Sequence, residues 1–99
     1  MLTHIVCWKY KTETSEQERE EHVAKLRALP NVIPNILSFN VGRDILQFER
    51  SFDTGLVAVY PDRAALDFYT DHPAHQEVAT MGKRIAERVV SVDFLDDEN

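Results

Sequence analysis

Along residues 3–10 apolar and β-branched side chains crowd both sides of an extended pattern, and this part of the chain reads as a first strand. His4, Val6, Trp8 and Tyr10 share one side; Thr3, Ile5, Cys7 and Lys9 share the other. A strand apolar on both sides is usually covered on both. The period then changes. Thr14 or Ser15 can cap a helix, with Gln17 or Glu18 three residues on as the reciprocal partner, and the acids of the first turn suit the helix dipole. Val23, Ala24, Leu26 and Leu29 keep helical spacing, which predicts a helix to about Leu29. Pro30 and Pro34 end it and stiffen the connector 30–35.

Leu37, Phe39 and Val41 alternate with Ser38 and Asn40 as a second strand that stops at Gly42. Residues 43–54 read as a loop, long for this chain and rich in apolar side chains (Ile45, Leu46, Phe48, Phe52). A third strand spans 55–60. Asp62 caps a second helix carrying Ala65, Leu66, Phe68 and Tyr69, which His72-Pro73-Ala74-His75 interrupts. Helix resumes over 76–87, and 89–94 form the last strand.

The resulting order, β-α-β-β-α-β, is the ferredoxin-like plan of an α+β fold: one domain over 1–99 with a four-stranded antiparallel sheet and a frayed polar tail at 96–99. Its helices can cover only one face of that sheet. A second sheet on the other face would bury the apolar side of strand one, so the pattern predicts a homodimer closed as an α/β barrel.

Composition narrows the partners. With 11 Lys and Arg against 17 Asp and Glu the net charge is −6, which argues against nucleic acid or an anionic membrane. No apolar run approaches the roughly 20 residues of a spanning helix, and residues 1–4 lack a signal peptide's basic start, so a cytoplasmic protein is expected. The single Cys7 excludes an internal disulfide and a cysteine-based zinc site; on the side opposite His4, it reads as a buried, inert thiol. Trp8 reads as core or dimer contact. His22, on the charged first helix, reads as solvated.

Several stretches together resemble the stress-responsive A/B-barrel (Dabb) family. They are His4-Ile5-Val6 with Lys9 behind it, residues 29–36 (Leu-Pro-Asn-Val-Ile-Pro-Asn-Ile), Leu37-Ser38-Phe39 with Val41-Gly42-Arg43, and Val89-Val90-Ser91-Val92-Asp93-Phe94. The most specific is Tyr69-Thr70-Asp71-His72-Pro73-Ala74-His75. The resemblance implies a dimeric α+β barrel. Many members are known only as stress-responsive. One plant member closes a linear polyketide by intramolecular aldol condensation without an organic cofactor, and its functional tyrosine and histidine fall on Tyr69 and His75, with a strand-one histidine on His4. Some members also hold a hard cation on backbone carbonyls after the first helix; the matching positions are Pro30, Ile33 and Ile36, and oxygen ligands there would suit a structural Mg²⁺ or Na⁺.

These positions allow two readings. In one, a small apolar pocket takes a hydrophobic or aromatic small molecule. If it is catalytic, His75 is a general base near neutral pH, Tyr69 polarises a carbonyl, and His4 is an auxiliary hydrogen-bonding group; this would be cofactor-independent cyclase or lyase chemistry. In the other, His72 and His75 satisfy backbone groups where Pro73 breaks the helix, and Tyr69 is a core aromatic. His72 and His75 make a poor zinc pair, because Pro73 spoils regular helical spacing and no further ligand is evident.

Overall fold

The computed structural model describes residues 1–96. Its elements are β1 (Leu2–Tyr10), α1 (Glu16–Ala28), β2 (Ser38–Arg43), β3 (Thr54–Tyr60), α2 (Arg63–Asp71), α3 (Pro73–Ile85) and β4 (Ala86–Leu95), with a short 3-10 turn at Leu29–Asn31. The strands form one antiparallel sheet in the order β2-β3-β1-β4, the ferredoxin-like arrangement the pattern predicts. Of the expected tail, Asp96 follows the end of β4 and donates its N–H to the Met1 carbonyl at 2.8 Å; residues 97–99 lie outside the described part.

Local chemistry sets the helix starts. The Ser15 hydroxyl accepts from the Glu18 N–H, and the Glu18 carboxylate accepts from the Ser15 N–H, both at 3.1 Å. Ser15 is therefore the cap of α1. Thr14 has a different partner. Its buried hydroxyl donates to the Ile85 carbonyl at 2.7 Å and ties the start of α1 to the end of α3. The break after α2 is sharper than the spacing predicts. His72 is extended, its Nδ1 accepts from the Ala74 N–H at 3.0 Å, and Pro73 opens α3 where no N–H is required. The third helix thus begins at Pro73, before residue 76. It ends at Ile85, because Ala86 already pairs with Tyr10 at a register shift in β1 and β4 starts there.

The core lies between the helices and one face of the sheet. Val6, Trp8 and Tyr10 of β1 and Leu56, Ala58 and Tyr60 of β3 meet Val23 and Leu26 of α1, Tyr69 of α2 and Val78 of α3. Burial of an aliphatic side chain of this kind contributes about 1.5–3 kcal/mol. Trp8 is core on the helix side. The expectation of a solvated His22 is overturned: it is 0% exposed, with Nδ1 2.7 Å from the Tyr10 hydroxyl, which in turn bonds Thr54. Its position on the Val23–Leu26 side of α1 places it there, and the polar residues around it in sequence point elsewhere. Burial lowers its pKa to about 4, so it is neutral.

The other face of the sheet carries Ile5 and half-buried Cys7 of β1 beside Val57 of β3 and Val90, Val92 and Phe94 of β4. Val57, Val90, Val92 and Phe94 are exposed. The 44–53 loop is anchored at its base by the Asp53 N–H donating to the Trp8 carbonyl and the Tyr10 N–H donating to the Asp53 carboxylate, while Ile45, Leu46 and Phe48 project outward.

Candidate functional site

A cavity of about 230 Å³ opens between the sheet and α3. His4 enters it from β1, Tyr69 and Thr70 from the last turn of α2, and His75 from the first turn of α3. The alternation of β1 turns His4 to the same side as Val6 and Trp8, and Tyr69 follows Ala65 and Leu66 on the buried side of α2. The Tyr69 ring centroid lies 4.4 Å from that of His75, 6.2 Å from that of His4 and 5.4 Å from that of Tyr60. All three residues expected to act together are therefore in one place. Trp8 forms part of the wall and leaves the space open.

The break between α2 and α3 orients His75. In an unbroken helix the Thr70 carbonyl would take the Ala74 N–H, but that N–H is bound by His72. The carbonyl instead accepts from His75 Nδ1 at 3.0 Å and from the Gln76 side-chain amide at 2.7 Å. A carbonyl only accepts, so Nδ1 carries the proton and neutral His75 keeps a bare Nε2. Burial pushes the His75 pKa below its ordinary value, the Thr70 bond opposes this, and nearby His4 adds to the lowering. Burial raises the pKa of Tyr69, and burial with the neighbouring Tyr69 raises that of Tyr60. Both phenols stay protonated and can donate.

His4 has a partner that the linear pattern does not disclose. Its Nδ1 meets the Asp93 carboxylate across the β1–β4 ladder, where the two residues are directly paired. An acid alternating with Val90, Val92 and Phe94 in a strand is the available signal, but its partner depends on strand register. His72 stands apart. It caps α3, and its ring rests on Phe68, 5.9 Å between centroids. Among the described residues no group of three or more His, Cys, Asp or Glu side chains could hold a metal. Pro30, Ile33 and Ile36 lie on the segment after α1, with Ile33 buried, away from the cavity lining.

No helix among the described residues is long and apolar enough to cross a membrane. The profile of the stress responsive A/B barrel domain matches residues 2–96. The stress-response A/B barrel domain-containing protein HS1 of Arabidopsis thaliana is 23% identical over 95 residues, covering 94% of this chain and 87% of its own. Olivetolic acid cyclase of Cannabis sativa is 23% identical over 95 residues, covering 94% of each. Among solved structures, the hydroxynitrile lyase of Passiflora edulis superposes with a TM-score of 0.87 at 20% identity, covering 99% of this chain and 94% of that one. A dimeric ferredoxin-like protein of unknown function from Jannaschia sp. CCS1 gives 0.80 at 28% identity, covering 96% and 98%. Matched along nearly its whole described length and sharing this fold, the chain belongs to the stress-responsive A/B barrel domain (Dabb) family.

Proposed function

We propose that this protein is a homodimer whose cavity binds a small apolar carbonyl compound and moves a proton beside that carbonyl without a cofactor. The observation that carries the reading is the convergence of His4, Tyr69 and His75 on one largely apolar cavity. His75 Nε2 takes a proton from the carbon next to the carbonyl, and the electron pair moves onto the carbonyl oxygen. Tyr69 donates a hydrogen bond to that oxygen and stabilises the enolate. In a substrate with a second carbonyl, the enolate carbon attacks it and a carbon–carbon bond forms. The new alkoxide recovers the proton from His75. His4, held by Asp93, supplies a further hydrogen bond. That one relative is a cyclase and one structural neighbour a lyase is in keeping with carbonyl chemistry of this kind.

Dimerisation is supported by the apolar open face built from Ile5, Val57, Val90, Val92 and Phe94, and by the dimeric state of the Jannaschia protein. The test of the chemistry is incubation of wild type, His75→Ala and Tyr69→Phe with a panel of linear poly-β-ketone thioesters, with cyclised products read by mass spectrometry. Product from wild type that is lost in His75→Ala supports the reading. Equal product from both removes His75 from the mechanism.

A second reading rests on the helix junction. His72 and His75 both satisfy backbone groups at Pro73, which is what a purely structural pair would do. The cavity then holds a ligand without turning it over, and wild type returns the panel unchanged.

A further inference from the structure

The cavity has two chemically different ends. His4 and Trp8 lie four residues apart on β1, a span of roughly 13 Å at the usual strand rise. His75 and Lys83 lie eight residues apart on α3, roughly 12 Å at the usual helical rise. Strand and helix run the same way along the cavity: His4 and His75 both flank Tyr69 at one end. At the other, a Cβ placed on Gly82 would stand 2.9 Å from Trp8 Nε1, which brings the Gly82–Lys83 turn of α3 against Trp8. Val89, paired with Trp8 across the ladder, completes this second end.

Lys83 is the one Lys or Arg side chain in the cavity lining. Among the described residues it makes no ion pair, whereas its neighbour Arg84 is engaged by Glu18. Lys83 lines the cavity and is itself exposed, which puts it at the edge of the apolar site, where a lysine can lay its stem on apolar surface and keep its ammonium in water. Between the two ends the walls are apolar, from Val6, Leu56, Val78 and Ala79.

We infer that the cavity selects an elongated molecule with a carboxylate at one end, held by Lys83, and its reacting carbonyl at the other, beside Tyr69 and His75. This rests on the proposed carbonyl chemistry of the cavity and names its substrate class: a medium-chain oxo acid. The apolar chain between the two groups fills the walls, and the spacing of Lys83 from His75 sets the separation of acid and carbonyl. Lys83 is then a specificity residue and takes no part in the proton transfer.

The test uses Trp8, the only tryptophan in the chain, as a fluorescent reporter at the Lys83 end. Wild type, Lys83→Met and Lys83→Glu are titrated at low salt with octanoate and, separately, with octanol, which has the same chain length and no charge. Wild type should bind octanoate about fivefold more tightly than octanol, the upper end for a solvent-accessible ion pair. The preference should vanish in Lys83→Met and reverse in Lys83→Glu. Equal affinity of wild type for the two ligands, or a preference that survives Lys83→Met, overturns this inference and leaves the carbonyl-binding cavity standing. If neither ligand changes Trp8 emission in wild type, this inference also falls, and the carbonyl chemistry is decided by the product assay alone.

Discussion

His75 donates its Nδ1 proton to the carbonyl of Thr70, 3.0 Å away, and that bond leaves Nε2 as the basic nitrogen of the neutral ring. The bond exists because Pro73 and the His72 cap interrupt the helix and leave the Thr70 carbonyl unclaimed. If His75 is the base, His75→Ala should lower turnover by about 10²- to 10⁴-fold, the range of general acid–base catalysis. Its lowered pKa has a defined consequence. The neutral ring is the active form, so the rate should hold as pH falls through the ordinary histidine value of 6.5 and decline only below it. A pH–rate profile whose acidic limb has its midpoint above 6.5 contradicts this assignment.

Asp93 holds the Nδ1 proton of His4 and so fixes the tautomer of that ring. Asp93→Asn should release it. Long-range ¹H–¹⁵N spectra should show a mixture of tautomers for His4 in the variant and one tautomer in wild type, with His75 unchanged in both. An unaltered His4 pattern means that another group orients the ring.

His22 should make stability depend on pH. Its folded pKa is about 4 against an ordinary value of 6.5, so between these the unfolded chain binds the proton and the folded chain does not. The stability it confers is complete above 6.5, falls as pH drops through that value, and levels off near 4. The loss is on the order of 3 kcal/mol across the window. Urea unfolding at pH 7 and pH 5 should show a marked drop for wild type and a smaller one for His22→Gln. Equal drops would place the cause elsewhere.

Gly82 gives space to two side chains. A methyl group there would stand 2.9 Å from Trp8 Nε1 and 3.0 Å from His22 Nε2, too close for either to remain where it is. Both are held by the core, so Gly82→Ala should cost about 1–3 kcal/mol, as overpacking does, despite the higher helix propensity of alanine. Thermal melting would register this directly, and a raised melting temperature would refute it.

Val92 sits on the open face opposite Ile5, and 53% of its surface is exposed in one chain. If two such faces pack together, Val92→Lys places a charge in their contact and should convert dimer to monomer. Sedimentation equilibrium at micromolar concentration distinguishes the two. A wild-type monomer, or an unaffected variant dimer, would rule out this face as the contact.

The elements themselves are legible in the sequence because they depend on near neighbours. Crowded β-branched and aromatic residues mark β1, two-residue alternation marks β2, and the cap candidates Thr14 and Ser15 and the cap Asp62 mark the starts of their helices. The side-chain spacing sets α3 three residues late at its start and two at its finish. The start is displaced because a proline that breaks one helix also opens the next.

The order of strands and helices, the doubly apolar first strand and the trio His4, Tyr69 and His75 all follow from the linear pattern and the family motif. Which groups face them does not. Asp93 reaches His4 only through the pairing of β1 with β4, and Lys83 joins the cavity only because α3 runs alongside β1. His22 is buried although α1 is mostly charged before it, because its ring bonds the Tyr10 hydroxyl of β1, which in turn bonds Thr54 of β3. Periodicity reports the side of an element on which a residue lies. The partner on the other side is set by register and packing, which are properties of the whole chain.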